Sequence, residues 1–268
     1  MTENGRLDSI PTSWYGHHPM KGAHKGTIRG RAALRGTREE SRRGADRGRR
    51  GVGGPESQAA ALAPTESHHE SKTKFLDAAL QVIRAKGYSA TRIEDVCEAA
   101  GLTKGSFFHH FESKEDLALA AADHFAAMAD RVFATAPYQR VADPLDRLLG
   151  YVDFRGAILQ GLLPDFTCLL GTMVQEVYDT HPEIRAACER HISAHATAVA
   201  RDVADAKKRY ARNARWTPES LALFTQAVIQ GAFVLAKAKH GPEVAAECLR
   251  HLRRYLETQF DRNPNQGG

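Results

Sequence analysis

The chain has 268 residues, 42% of them apolar, and a formal charge of +5 at pH 7; this is enough for one or two domains with real cores and is ordinary for a soluble protein. Four cysteines, Cys97, Cys168, Cys188 and Cys248, are widely scattered with no C-x-x-C pair, which excludes a disulfide-framed secreted scaffold and points to a reducing cytoplasm. No secretory h-region opens the sequence and no apolar run reads as a membrane span, so no membrane partner is expected.

The charge is uneven. Residues 1–70 hold ten Arg and two Lys against eight acids, together with half of the 22 glycines. That composition reads as a disordered Arg/Gly-rich N-terminal extension, too poor in apolar groups to build a core. Two readings stay open for it. One is an unstructured leader from an over-extended start; the other is a basic arm that reaches phosphates or a minor groove and adds salt-dependent affinity. From Ser71 the period becomes helical, with Phe75, Leu76, Ala79, Val82 and Ile83 in one stripe that ends at Gly87.

Thr91 followed by Glu94 reads as a capping box. Ile93, Val96, Cys97 and Ala100 then fall on one face of a short helix. Gly101 ends it, Leu102 plugs the turn, and Thr103 caps a second helix predicted over Lys104–Phe111. Phe107 and Phe111, four apart, share a face that packs on the preceding helix. The other side presents Gly105 and His109, flanked by Ser106 and Phe108, with Lys104 at the entrance and His110 beside the apolar stripe. A short helix held by two aromatics and presenting small, hydroxyl, basic and imidazole groups suits the DNA major groove. Ser113 with Asp116 opens a further helix. Over Lys72–Leu117 seven basic side chains balance seven acidic ones, so a nucleic-acid role rests on where the charges sit rather than on their sum.

The run LTKGSFFHHFESKEDL resembles the recognition-helix signature of the TetR/AcrR family of transcriptional regulators. The resemblance extends back through FLDAALQVIRAKGYSATRIEDVCEAAG and covers about residues 71–125. It implies an all-α protein with a helix-turn-helix DNA-binding domain over residues 71–117 and a helical effector-binding and dimerisation domain over 118–262. It further implies a homodimer on a palindromic operator in double-stranded DNA, released by a small-molecule effector, and expected to act as a repressor. The DNA-facing set is then Thr91, Arg92, Thr103, Lys104, Gly105, Ser106, His109, His110 and Lys114, the last at a position where the family usually contacts phosphate. One departure is Phe108. Many members carry a tyrosine there whose hydroxyl meets a phosphate, and Phe108 has no hydroxyl to offer.

The remainder shows helical periods and no strand-like alternation. Helices are predicted from Lys114 to about Ala134, Leu145 to about Gln160, Phe166 to Asp179, Pro182 to about Tyr210, Glu219 to His240 and Glu243 to Phe260, with breaks at Gly161, Pro164 and Gly241–Pro242. The last two form a hairpin with more apolar surface than one small body needs, which a symmetry mate would cover as a four-helix interface. Inward-facing candidates for an effector pocket are Phe125, Met128, Phe154, Phe166, Met173, Gln175, Tyr178 and Trp216, with Gln175, Glu176 and Gln226 as orienting polar groups; core packing is the alternative for most of them. Cys188, His191 and His195 share a helix face but lack a fourth ligand, so no metal and no cofactor is expected. There is no G-x-S-x-G, phosphate-cradling glycine loop or H-E-x-x-H, which argues against an enzyme. The rival to a regulator is a helical protein-interaction module that has lost operator binding.

Overall fold

The computed structural model describes residues 64–261. The expected disorder of the Arg/Gly-rich extension, and its reading as a DNA-reaching arm, fall on residues 1–63 and lie outside the described residues. Residues 64–70 do not follow that expectation, because the first helix starts seven residues before Ser71, at Pro64.

Among the described residues there are ten α-helices, one 3-10 turn and no strand. Helix α1 (Pro64–Lys86) buries Phe75, Leu76, Ala79 and Ile83 of the stripe read from the sequence, joined by Ala78 and Leu80, while Val82 is only half-buried. It ends at Gly87, whose φ of +88° is the left-handed conformation that glycine adopts freely. An added Cβ there would also collide with the Glu176 carboxylate. Helix α2 (Ile93–Ala100) and helix α3 (Lys104–Phe108) follow, joined through Gly101 at φ +65°. Helix α4 (Lys114–Ala134) leads away from them, and Ser113 caps it by accepting from the Asp116 N–H.

A 3-10 turn, Pro137–Arg140, separates α4 from α5 (Pro144–Ala157). Then come α6 (Leu163–Phe166), α7 (Leu169–Val177), α8 (Pro182–Tyr210), α9 (Pro218–Lys239) and α10 (Glu243–Thr258). The helix predicted over Phe166–Asp179 is shorter, running over Leu169–Val177 as α7, with Phe166 ending the separate α6. The chain is extended at Thr167 (ψ 159°), and Cys168 starts a new helix, its Sγ accepting from the Gly171 N–H at 3.4 Å. Pro164 lies inside α6, at its first turn, where its missing N–H costs nothing.

Helix α8 is the spine of the body and packs on α4, α5, α7 and α9. One continuous core runs from Phe75, Val96, Phe107 and Leu117 at the helix-turn-helix end to Leu169, Met173, Ile184 and Cys188 in the body. At about 1.5–3 kcal/mol for each fully buried large apolar side chain, this shared core couples α1 and α4 to α7 and α8. Helix α9 is the exception to the sequence reading of apolar length. It is long and apolar enough to cross a membrane by length and composition, with 44% of its most apolar window buried. The reason is visible in its two faces: Leu221, Ile229 and Phe233 are buried in the body, while Leu223, Phe224, Val234 and Leu235 are exposed.

Candidate nucleic-acid interface

The turn between α2 and α3 is built from local hydrogen bonds. Asp95 accepts from the Arg92 N–H at 2.7 Å, so the N-cap is Arg92, one residue later than the Thr91–Glu94 capping box read from the sequence, and only the return half of such a box forms, because a guanidinium cannot accept. Thr103 caps α3, its Oγ1 accepting from the Ser106 N–H at 3.1 Å. The far side of α3 is fixed by aromatics. Phe107 is fully buried, its ring edge-on to Phe75 at 5.6 Å, and Phe111 meets the same ring at 6.2 Å. Helix α3 stops at Phe108 rather than Phe111, and His109 forms its C-cap.

This anchoring leaves Thr103, Lys104, Gly105, Phe108 and His109 exposed, with Ser106 partly so, and Arg92 is exposed at the start of α2. At Gly105 a Cβ would meet only Thr103 Oγ1, at 3.7 Å. Nothing inside the fold requires glycine there; the small side chain matters only for something approaching from outside. Phe108 is 52% exposed, a large apolar group in the middle of the face. The two cations of the surface are already engaged: Lys104 Nζ lies 2.7 Å from Glu94 Oε1, and Arg92 Nη2 lies 3.1 Å from Asp95 Oδ1. Those same carboxylates raise the pKa values of both bases.

Three residues of the predicted DNA-facing set turn inward. Thr91 is 1% exposed, and its hydroxyl donates to the Gly87 carbonyl at 2.6 Å, tying the α1–α2 loop. Lys114 donates to the carbonyls of Tyr88 and Thr91 and sits 4.3 Å from the Tyr88 ring centroid, so its ammonium is spent on the same loop. His110 packs between Phe75 and His68. Ser71 Oγ donates to the His68 carbonyl and therefore accepts from His110 Nε2–H at 2.7 Å. That tautomer leaves His110 Nδ1 a buried acceptor without a partner, and burial lowers the pKa of the ring.

A helix anchored from behind by two phenylalanines, capped by threonine and exposed over one whole side is the reading element of a helix-turn-helix. The sequence matches two family descriptions in register with it: the bacterial regulatory proteins of the tetR family over residues 75–121, and the tetracyclin repressor-like C-terminal domain over residues 144–252. The chain belongs to the TetR family. It is a transcriptional regulator and not an enzyme. Among its relatives, the transcriptional regulator AcuR of Cereibacter sphaeroides is 27% identical over 192 residues, covering 69% of this chain and 84% of AcuR. The transcriptional repressor DhaR of a Mycobacterium species is 26% identical over 163 residues, 61% of this chain and 80% of DhaR. A TetR regulator from Chloroflexus aurantiacus superposes with a TM-score of 0.65 at 26% identity, covering 73% of this chain and 98% of that one.

In the body of this TetR-family regulator the predicted pocket residues separate. Met173 is fully buried core, and Phe125 and Met128 pack at the edge of the same core, Phe125 beneath the Arg84 guanidinium at 5.7 Å. Phe154 stacks with Phe133 and Tyr138. Tyr178 points out, 60% exposed, and Trp216 packs on Phe260 and Lys207 near the start of α9, far along the chain from the others. Phe166 and Gln175 line open space. Phe166 borders a groove of about 680 Å³ between the end of α1, α6, α7 and the end of α9; Gln175 borders a smaller cavity of about 170 Å³ between α7 and α9. Glu176, named from the sequence as a polar group, lines both. Gln226 lies elsewhere, donating to Tyr151 Oη at 3.0 Å, and Tyr151 Oη is 3.0 Å from His195 Nε2. Because the phenol accepts from Gln226, its hydrogen goes to Nε2 and the imidazole is neutral. Burial, then the nearby Arg155 charge, push the His195 pKa down to about 3.

Cys188, His191 and His195 do not converge. Cys188 is fully buried, His191 binds Asp123 at 2.6 Å and His195 binds Tyr151. Among the described residues no group of three or more His, Cys, Asp or Glu is placed to hold a metal. What the sequence reading missed is Lys237, which lines both open spaces, and Arg155, whose guanidinium lies over the Phe133 and Phe233 rings at 5.1 and 5.6 Å. A basic residue on an otherwise apolar helix face was the available signal at both positions.

Proposed function

We propose that the protein is a homodimeric, ligand-released repressor that reads a palindromic operator with α3. The observation that carries this is the outward surface of α3, where Thr103, Lys104, Gly105, Ser106, Phe108 and His109 stand clear of the fold while Phe107 and Phe111 hold the helix from behind. Arg92, at the start of α2, extends the same surface. Of the original DNA-facing set, Thr91, His110 and Lys114 act from behind it by fixing the loops. One short helix reads only a few base pairs, so a two-fold pair is needed for an operator-length site. The exposed apolar strip of Leu223, Phe224, Val234 and Leu235 on α9, with Tyr255 of α10 stacked on Phe224 at 4.9 Å, supports pairing of this hairpin with a second copy. The relative DhaR is named a repressor, and the family norm of an effector in the C-terminal body fits the open spaces there.

The test is selection of DNA from a random pool by the purified chain at physiological salt. Enrichment of a palindrome with half-sites about one helical turn apart, or a small multiple of it, is the expected result. A folded dimer that enriches nothing overturns the repressor reading in favour of a protein-interaction module, the role that a neutral reading surface centred on Phe108 would suit.

A further inference from the structure

The groove between the end of α1 and the end of α9 has a composition that selects a ligand. One wall is apolar: Leu162, Leu163, Pro164 and Phe166, with Leu162 75% exposed at the mouth. The floor is polar and centred on Lys237, which borders both the groove and the adjoining smaller cavity. Lys237 is half-buried and makes no ion pair among the described residues; its hydrogen bond is to Thr172 Oγ1 at 2.6 Å. Thr172 donates its own hydroxyl hydrogen to the Cys168 carbonyl, so it can only accept from the ammonium. An ammonium has three donors, and the bond to Thr172 uses one of them. Burial lowers the Lys237 pKa, against the opposing pull of the Glu176 carboxylate. Arg84, bound to the Leu80 and Thr167 carbonyls behind the groove, adds fixed positive charge. Glu176 is the acidic member, held by the Ser89 N–H at 2.8 Å.

We propose that this groove binds a monocarboxylate with an apolar tail, its head group on Lys237 and its tail along Leu163, Pro164 and Phe166. A volume of about 680 Å³ lies within the usual range for small-molecule sites. One lysine with the Glu176 carboxylate on the same floor suits a single negative charge and disfavours a dianion such as a phosphate monoester. The site also says how occupancy reaches DNA, an extension that rests on the repressor reading above. Its walls belong to α1 on one side and to α7 and α9 on the other, and α1 is the helix whose Phe75 carries Phe107 and Phe111. A ligand wedged there favours a different spacing between α1 and the body, which is differential binding to two states of the regulator.

The test is calorimetric titration of the full chain, without DNA, with hexanoate, octanoate and decanoate and with the primary alcohols of the same lengths. At least one carboxylate is expected to bind with a Kd about tenfold or more below that of its alcohol. Lys237→Met is expected to raise that Kd by about tenfold or more, while Lys237→Arg stays within a few-fold. Leu163→Trp, which fills the tail wall and leaves the charge, is expected to weaken binding of the longer acids most, and it serves as the second probe should Lys237→Met fail to fold. No binding of any carboxylate, equal binding of the alcohols, or undiminished binding by the folded variants overturns the site. If the chain selects a palindrome but binds no carboxylate, only the groove proposal falls. If it binds carboxylate but selects no DNA, the repressor reading falls and the site stands.

Discussion

The Lys104 ammonium lies 2.7 Å from the Glu94 carboxylate across the turn between α2 and α3, so the one lysine on the reading helix is paired before DNA arrives. Both side chains are more than half exposed, and a phosphate or a guanine edge competes with Glu94 for the same charge. Glu94→Gln releases Lys104 and removes a negative charge from the surface that meets DNA. Operator affinity should rise several-fold, measured by fluorescence anisotropy at fixed salt. Lys104→Ala should weaken binding by about tenfold and, if the ammonium meets a phosphate, flatten the dependence of log K on log salt by about 0.9 per site. A Glu94→Gln variant with unchanged or weaker affinity would place Lys104 away from the DNA.

Gly105 and Phe108 divide the same surface by size. A Cβ at Gly105 meets only Thr103 Oγ1 at 3.7 Å, so Gly105→Leu should leave the melting temperature within a degree or two while abolishing operator binding. Phe108→Tyr restores the hydroxyl found at this position in many family members and should tighten binding a few-fold through a phosphate contact. By contrast Phe107→Ala removes a fully buried ring from between α3 and Phe75. It should cost about 3–5 kcal/mol of unfolding free energy and lose DNA binding through the fold rather than the contact.

The reading helix was legible because its signals are local. The aromatic pair four apart, the Thr103 cap and the helix-ending Gly101 all appear in the structure where the sequence puts them. What failed was the direction of side chains whose partners lie in other elements. Thr91 has a good capping sequence, yet its hydroxyl turns back to the Gly87 carbonyl in the loop, and the N-cap falls on Arg92, whose N–H Asp95 accepts. Lys114 sits at a helix start that would suit an anion, but two carbonyls and a tyrosine ring lie closer. The open spaces of the body were the least legible. They form between segments some 70 to 150 positions apart, such as Arg84, Phe166 and Lys237, and no period within one helix reports such a meeting.

The buried Gln226–Tyr151–His195 chain predicts a pH dependence of stability. The folded His195 pKa is about 3, below its ordinary value of 6.5, so below about pH 6.5 the unfolded state takes up a proton that the folded state refuses. Stability is therefore fully present above pH 6.5 and declines as pH falls, with a limiting slope of about 1.4 kcal/mol per pH unit for one histidine. His110, also lowered by burial, contributes with the same sign. Urea denaturation between pH 7.5 and 5.5, before most carboxylates titrate, should show the decline. His195→Gln, which keeps an acceptor for Tyr151 and cannot titrate in this range, should flatten it, and an unflattened profile would mean that His195 charges readily in the folded protein.

The exposed apolar strip on α9 gives the last prediction. Leu235 and Phe224 are each more than 40% exposed, so neither supports the fold of a single chain, and a charge placed there costs that fold little. If the α9–α10 hairpin is the pairing surface, the same charge is buried against its symmetry copy, where two like charges face each other without compensation. Leu235→Glu should then yield a folded monomer by light scattering, with helicity unchanged. Its operator affinity should fall by orders of magnitude, because each half-site must now be bound separately and the gain from linking two readers is lost. A Leu235→Glu variant that remains a dimer would move the pairing surface to another face of the body.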